Sequence, residues 1–402
     1  MKIQHVSASV PASTNMAVSA SVPVSANIPA SEERTASLPS PVWVHILDDR
    51  SLGGVKRFIE ALRSHPSCQG FEHQLVSADE AAAALGPGKI AIVHEPSSWR
   101  LLPRLLRWRT RSPVILIEHH YSASFEACNV PHPRRFRWLL RCAYACAHRV
   151  VSISEGQAEW MQQHRLVDPE RLRRISPFVD LSAFFAAPDP TPASRPVLGA
   201  IGRFCPQKGF DLLLQALRRV PNLEFDLRLG GYGPDEAALR ELAAVDPRVH
   251  FCGRIEDPAG FMARCDALIV PSRWEPFGLV CLEARAAGRP VLVHGVDGLP
   301  EQLSGCGLVS PPEAEDLAVG LEIFCDQLPR YDSDVGRESA RLSVERSARG
   351  WVDLIAELAP LCFRKYYKYA KTDAFGERPT KVPTNWIDEI GHRPIKNSRR
   401  AI

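Results

Sequence analysis

Apolar residues in this chain fall into short unbroken runs, separated by stretches in which they recur every three or four positions. Runs such as Val42-Trp43-Val44-His45-Ile46-Leu47, Ile90-Ala91-Ile92-Val93-His94, Val114-Ile115-Leu116-Ile117-Glu118 and Arg149-Val150-Val151-Ser152-Ile153-Ser154 have the length and β-branched content of strands buried on both faces. Between them come helical spacings, as at Val55, Phe58, Ile59 and Leu62. Strand and helix alternating in this way predict a parallel sheet with helices on both sides. The alternation starts afresh at Val197-Leu198-Gly199-Ala200-Ile201 and continues through runs at 225–229, 249–251, 267–270 and 290–294. The predicted class is therefore α/β, with two Rossmann-like doubly wound parallel-sheet domains.

Boundaries lie where the pattern lapses. Residues 1–40 are mostly Ser, Ala, Val and Pro with near repeats, Val6-Ser7-Ala8-Ser9-Val10-Pro11 and Val18-Ser19-Ala20-Ser21-Val22-Pro23; so few large apolar groups do not offset the entropy of ordering, and disorder is expected. A proline-rich linker at 186–195 divides a first domain, 41–185, from a second, 196–346. Helical patterns follow at 313–324 and 334–358. Residues 347–362 are expected to form a helix crossing back to the first domain, and the basic tail 363–402 has no period and is expected to be disordered.

Composition narrows the class further. With 402 residues, 45% apolar and 24% charged, the chain reads as soluble and globular, and a formal net charge of +3 gives no general argument for nucleic acid. No apolar run nears the roughly 20 residues that span a bilayer, and the amino terminus lacks a signal-peptide core. A cytoplasmic protein is expected. Eleven cysteines without a Cys-x-x-Cys pair read as reduced thiols rather than a disulfide framework or zinc site. Two segments, 100–109 and 133–141, set Arg beside Trp and Leu, the chemistry of a helix lying on an anionic membrane surface.

Candidate chemistry sits where strands end. Pro271-Ser272-Arg273-Trp274-Glu275-Pro276-Phe277-Gly278-Leu279-Val280-Cys281-Leu282-Glu283 follows a buried run and opens a helix, so the amides of Phe277, Gly278 and Leu279 offer an anion site flanked by two carboxylates, Glu275 and Glu283. A ligand with both hydroxyls and phosphates suits such a place. Gly53-Gly54 after the first strand and Gly230-Gly231-Tyr232-Gly233-Pro234 let backbone approach a ligand closely. Arg203 and Lys208 in the loop after the 197–201 run supply a planar fork and a point charge for phosphate oxygens, and the Cys252-Gly253-Arg254-Ile255 loop offers backbone to a nucleobase. His119 and His120 end the third strand of the first domain. A histidine doublet could mean metal, but no further His, Asp or Glu stands at metal spacing, so one of the pair is read as reaching the substrate.

The ordered set Gly53-Gly54, Gly202-Arg203 with Lys208-Gly209, Gly231-Tyr232-Gly233-Pro234, Pro271-Ser272 with Glu275-Pro276-Phe277-Gly278-Leu279 and Glu283-Ala284, and Gly288 with Pro290-Val291 resembles the retaining nucleotide-sugar glycosyltransferases of family 4, over about residues 42–360. The resemblance implies the GT-B fold, in which the two domains face each other across a cleft. It further implies transfer of a hexose from a nucleotide-sugar donor to a saccharide acceptor; the basic amphipathic segments of the first domain suggest that this acceptor is lipid-linked, as in cell-surface polysaccharide synthesis. Arg203 and Lys208 would hold the donor diphosphate with amides near Gly53, Gly54 and 277–279, and Gly231 and Ile255 would lie at the donor. Glu283 would bind ribose hydroxyls, Glu275 would lie at the donor sugar, and His119 would approach it from the first domain. No cofactor and no metal are expected, since no Asp-x-Asp stands at a strand end of the second domain. Partners are then the donor, a saccharide or polyprenyl-linked saccharide acceptor and the inner membrane face, with no nucleic acid. Two features depart from the family pattern: Lys56 replaces an acidic residue, and Ser176-Pro177-Phe178-Val179-Asp180 stands in place of Pro-Asn-Gly-Val-Asp. Alternatives are a nucleotide-sugar-binding or assembly protein with an inactive site, and a nucleotide-sugar epimerase of the same fold.

Overall fold

The structure is a computed structural model that describes residues 40–49, 53–190, 195–303, 305–311 and 313–369. The disorder expected for 1–40 and 363–402 lies outside the described residues, apart from residue 40 and the stretch up to 369.

The first domain carries strands β1 (Val42–Ile46), β2 (His73–Val76), β3 (Lys89–Val93), β4 (Val114–Glu118), β5 (Arg149–Ser152) and β6 (Leu172–Arg174). Its helices are α1 (Gly54–Ser64), α2 (Ala81–Ala84), α3 (Leu102–Arg109), α4 (Ala123–Asn129), α5 (Pro133–Cys146), α6 (Glu155–Gln163) and α7 (Ser182–Phe185). The second domain has β7 (Val197–Ile201), β8 (Asp226–Gly230), β9 (Val249–Gly253), β10 (Ala267–Val270), β11 (Val291–His294) and β12 (Gly307–Ser310). Its helices are α8 (Phe210–Leu217), α9 (Glu236–Ala243), α10 (Pro258–Ala263), α11 (Leu279–Ala286), α12 (Ala314–Gln327) and α13 (Ser333–Tyr369).

Both sheets are parallel and six-stranded, in the orders β2-β1-β3-β4-β5-β6 and β12-β11-β10-β7-β8-β9. The central strands β4, β10 and β11 are buried along their whole length, because helices cover both faces and neither face meets water there. Each order reverses once, between β1 and β3 in the first sheet and between β7 and β10 in the second. Loops at the carboxyl ends of strands flanking such a reversal diverge and leave a crevice. The two crevices face each other, which is the expected two-domain α/β architecture.

Three strands, β2, β6 and β12, have no counterpart in the sequence pattern. Each is three or four residues long at a sheet edge, so polar groups such as His73, Gln74, Arg173 and Arg174 are tolerated and the apolar signal is lost. Helix α13 also runs past its expected end at 362 to Tyr369, and does so through Pro360. Proline removes one ladder hydrogen bond, but Cys362 and Phe363 beyond it are buried, and the Cys362 carbonyl accepts from Gly88 N–H at 3.3 Å. Packing there outweighs the lost bond. The same helix begins on the second domain, where Ser339 Oγ accepts from Arg285 Nη1 at 2.5 Å, and ends on the first, where Trp351 lies among Trp43 and Phe58.

Candidate functional site

A cavity of about 350 Å³ lies where the two crevices meet. Its walls come from α1 (Gly54, Arg57), the β4 end (His119, His120), the loop before α8 (Lys208) and the β10–α11 segment (Glu275 to Glu283). Two helices begin on it. Helices α1 and α11 start after Gly53 and Gly278, neither with a side-chain cap, whereas α4, α6 and α10 are capped by Ser122, Ser154 and Asp257. First-turn N–H groups have no partner within a helix, so these two helices present open donors and the positive ends of their dipoles to one volume. They approach closely: a Cβ on Gly54 would stand 3.0 Å from Leu279 Cδ1. Gly278, at φ +93°, takes a left-handed turn that a side chain would strain.

Each cation of the cavity is paired with a carboxylate. Lys208 Nζ donates to Glu275 Oε2, which also accepts from Ser272 Oγ at 3.3 Å. Arg57 of α1 reaches across to Glu283, Nη2 to Oε1 at 2.6 Å. Glu283 is buried, which pushes its carboxyl up, and the Arg57 charge pulls it partly back. His119 is held neutral by burial, lowered to about 3, with His120 adding to the effect. Behind it Glu118 is buried and raised to about 7. Its Oε1 accepts the His120 and Tyr121 amides at 3.0 and 3.1 Å and its Oε2 the Tyr144 hydroxyl at 3.0 Å, which fixes the loop that carries both histidines.

Of the residues named from sequence, Gly54, His119, Lys208, Glu275, Phe277, Gly278, Leu279 and Glu283 line the cavity together, and Gly53 caps the helix beside it. Arg203, Gly231 and Ile255 do not line it. Arg203 is exposed. A Cβ on Gly231 would collide with the Gly202 carbonyl, so packing alone requires glycine there, and Ile255 lies over Gly230. Arg57 and Asp297 went unread in the sequence. Asp297, at φ +47°, accepts from Ser122 Oγ at 2.8 Å and Ser124 N–H at 2.9 Å in the first domain, and from Glu275 N–H at 3.0 Å in the second. The Asp297-Gly298 pair was a legible turn signal, but nothing local says that its carboxylate spans two domains.

Residues 195–326 match the family described as Glycosyl transferases group 1, and residues 44–183 match Glycosyltransferase Family 4. Together these cover more than half of the chain, one domain each. The chain belongs to the family 4, group 1 glycosyltransferases. Among curated relatives, a D-inositol 3-phosphate glycosyltransferase of Mycobacteroides abscessus is 30% identical over 63% of this chain and 58% of its own length. The lipopolysaccharide core biosynthesis glycosyltransferase LpsE of Rhizobium meliloti is 40% identical over 27% of this chain and 32% of its own. The chain thus spans about a third to three fifths of the length of such relatives. Among solved structures, a glycosyltransferase from Rickettsia africae superimposes with a TM-score of 0.63 at 15% identity, covering 80% of this chain and 99% of that one. Anabaena Alr3699/HepE in complex with UDP gives 0.59 at 16%, covering 83% and 100%. At these identities the structures establish the shared GT-B fold.

Proposed function

We propose that the protein transfers a hexose, with retention at the anomeric carbon, from a nucleotide-diphosphate sugar to a lipid-linked saccharide during cell-surface polysaccharide synthesis. The observation that carries this is the meeting of two uncapped helix amino termini, one from each domain, over a cavity that also holds Lys208 and Arg57. Four sources of positive potential in one volume suit a diphosphate and supply the charge a divalent ion would otherwise bring. A diphosphate entering there competes with Glu275 for Lys208, leaving that carboxylate to face the sugar, while Glu283 takes the ribose hydroxyls. In the reaction the bond from the anomeric carbon to the diphosphate oxygen breaks, and one to the acceptor hydroxyl forms on the same face. The acceptor's proton passes to the departing phosphate oxygen. Glu275 offsets the positive charge that builds on the sugar.

HepE, a protein of the same fold, is solved with UDP and with UDP-glucose, which supports a nucleotide-sugar donor. LpsE, by name, acts in lipopolysaccharide core biosynthesis. A lipid-borne acceptor is further supported by a surface patch on the first domain. Trp99 and Trp138 are 40% and 57% exposed with ring centroids 4.9 Å apart, beside exposed Leu106 and the exposed arginines 100, 104, 107, 134 and 135. Aromatic and basic groups together suit the inner face of an anionic membrane. Among the described residues no helix is long and apolar enough to cross a membrane.

Incubation of purified protein with labelled UDP- and GDP-hexoses and a polyprenyl-linked acceptor tests the reading. Expected are turnover of one donor, an unchanged anomeric configuration in the product, indifference to chelator, and a loss of about 10²–10³ in kcat for Lys208→Ala. An inactive binder would hold nucleotide without turnover. Undiminished activity in both Lys208→Ala and Glu275→Ala would remove the assigned site, and loss of turnover with chelator would remove metal independence.

A further inference from the structure

Behind the cavity a line of four histidines crosses the first sheet. His119 Nε2 lies 3.0 Å from His94 Nδ1, His94 Nε2 3.0 Å from His45 Nδ1, and His45 Nε2 3.0 Å from His73 Nδ1. His73 Nε2 then lies 3.3 Å from the Cys68 carbonyl oxygen. The residues stand on β4, β3, β1 and β2 or just beyond their ends, so strand order alone brings together side chains separated by 25, 49 and 28 positions. Consecutive rings are stacked with centroids 5.3 Å apart. His45 and His94 are fully buried.

Every link joins Nε2 of one ring to Nδ1 of the next, and the last ends on an oxygen that can only accept. A neutral imidazole has one N–H and one lone pair. His73 must therefore donate from Nε2, which leaves its Nδ1 to accept from His45 Nε2–H, and the same step repeats to His119. One carbonyl sets all four tautomers. The opposite polarity would turn the His73 lone pair against the carbonyl lone pairs, and a charged ring would escape the constraint only by ionising inside the sheet, which burial and the nearby Arg63 charge oppose. At the other end His119 lines the cavity, and with its Nε2 turned to His94, its Nδ1 is the one ring nitrogen of these four histidines without a hydrogen bond to another described residue.

We propose that His94, His45 and His73 are positioning residues that lock His119 as the Nε2–H tautomer, so that its free nitrogen is a lone pair, an acceptor for a hydroxyl of the ligand. This rests on the glycosyl-transfer reading for its ligand, but not for the lock itself. The chain does not act as a proton wire, because the Cys68 carbonyl takes no proton. His119 is thus a hydrogen-bond acceptor that orients a hydroxyl, not a general base.

His94→Leu cuts the chain one ring behind His119, and His94→Gln restores a group that both donates and accepts. On the full chain with ¹⁵N-labelled histidine, ring-nitrogen NMR at pH 7 is expected to show His45, His73, His94 and His119 all neutral and protonated at Nε2. In His94→Leu, His119 is expected to mix tautomers, and kcat/KM for the nucleotide sugar that turns over falls about tenfold, the size of one hydrogen bond. In His94→Gln both readouts return toward the unmodified protein. A His119 protonated at Nδ1 or charged in the unmodified protein, or an unchanged tautomer in His94→Leu, overturns the proposal. Where His94→Leu does not fold, the spectrum of the unmodified protein and His94→Gln decide it. Absence of turnover with every nucleotide sugar would sink the glycosyl-transfer reading while the spectra still report on the lock; turnover with mixed tautomers would do the reverse.

Discussion

Glu283 shows how a residue can be legible while the reason for its state is not. Its place in a local motif marks it as a site candidate, and the structure buries it at the cavity. What offsets its burial is Arg57, 226 positions earlier, which in sequence is one more polar residue on the solvent side of an amphipathic helix. Lys208 and Glu275 likewise sit in motifs read directly, but their pairing does not follow from either motif. Removing the partner of a buried carboxylate leaves that carboxylate desolvated and uncompensated. Arg57→Met is therefore expected to lower the unfolding free energy by about 1–3 kcal/mol, and a second change, Glu283→Gln, to recover most of that loss in urea titrations. An equal deficit in single and double variants would show that the stranded carboxylate is not the cause.

The elements that close the domains on each other are two first-domain helices met at their amino termini by two second-domain carboxylates. Asp297 accepts from Ser122 and Ser124 at the start of α4, and Glu301 Oε2 accepts from Glu155 N–H at the start of α6 at 2.6 Å. A negative group at a helix amino terminus gains from the dipole as well as from the bond. Asp297 also holds the amide of Glu275, so closure and the placing of the candidate catalytic carboxylate share one side chain. Its left-handed backbone is tolerated best by Asn, Asp or Gly. Asp297→Asn keeps that tolerance and one acceptor, whereas Asp297→Ala loses the acceptors and strains the turn. The alanine variant is expected to show a larger radius of gyration in X-ray scattering and a raised KM for donor, with the asparagine variant in between. Equal scattering from all three proteins would place closure elsewhere. This clasp was not legible because periodicity reports what each helix buries beneath it, not what meets its end. The central strands were legible for the converse reason: burial on both faces leaves an apolar run that needs no knowledge of partners, while the half-exposed edge strands β2, β6 and β12 leave none.

At the scale of the molecule, burying so many imidazoles makes the fold sensitive to acid. His73, His148 and His294 are lowered to about 4 and His119 to about 3, while His45 and His94 lie well below the ordinary 6.5; desolvation is the leading cause in each. A histidine kept neutral in the fold contributes stability that is full above 6.5, where the unfolded chain is neutral too, and that is lost as pH falls toward the folded value, because only the unfolded chain takes up the proton. Each such ring contributes a slope of about 1.4 kcal/mol per pH unit across that window, against a total stability of roughly 5–15 kcal/mol. The buried carboxyls work the other way. Glu118, raised to about 7, and Glu283, Glu301 and Glu95, also raised, bind protons in the fold first, so their contribution is present below about 4.5 and is lost as pH rises through the folded value. Four carboxyls offset only part of six rings. The net expectation is that stability holds near neutrality, falls steeply once pH drops below about 6.5, and is exhausted above pH 4. Urea midpoints followed by tryptophan fluorescence between pH 7.5 and 4.5 measure this directly, since buried Trp43, Trp108 and Trp351 report on both the first sheet and the long helix that packs on it. A native emission spectrum persisting at pH 3.5 would mean that these rings accept protons in place, which neither the neutral tautomer chain behind His119 nor the dry interior of the first sheet could accommodate.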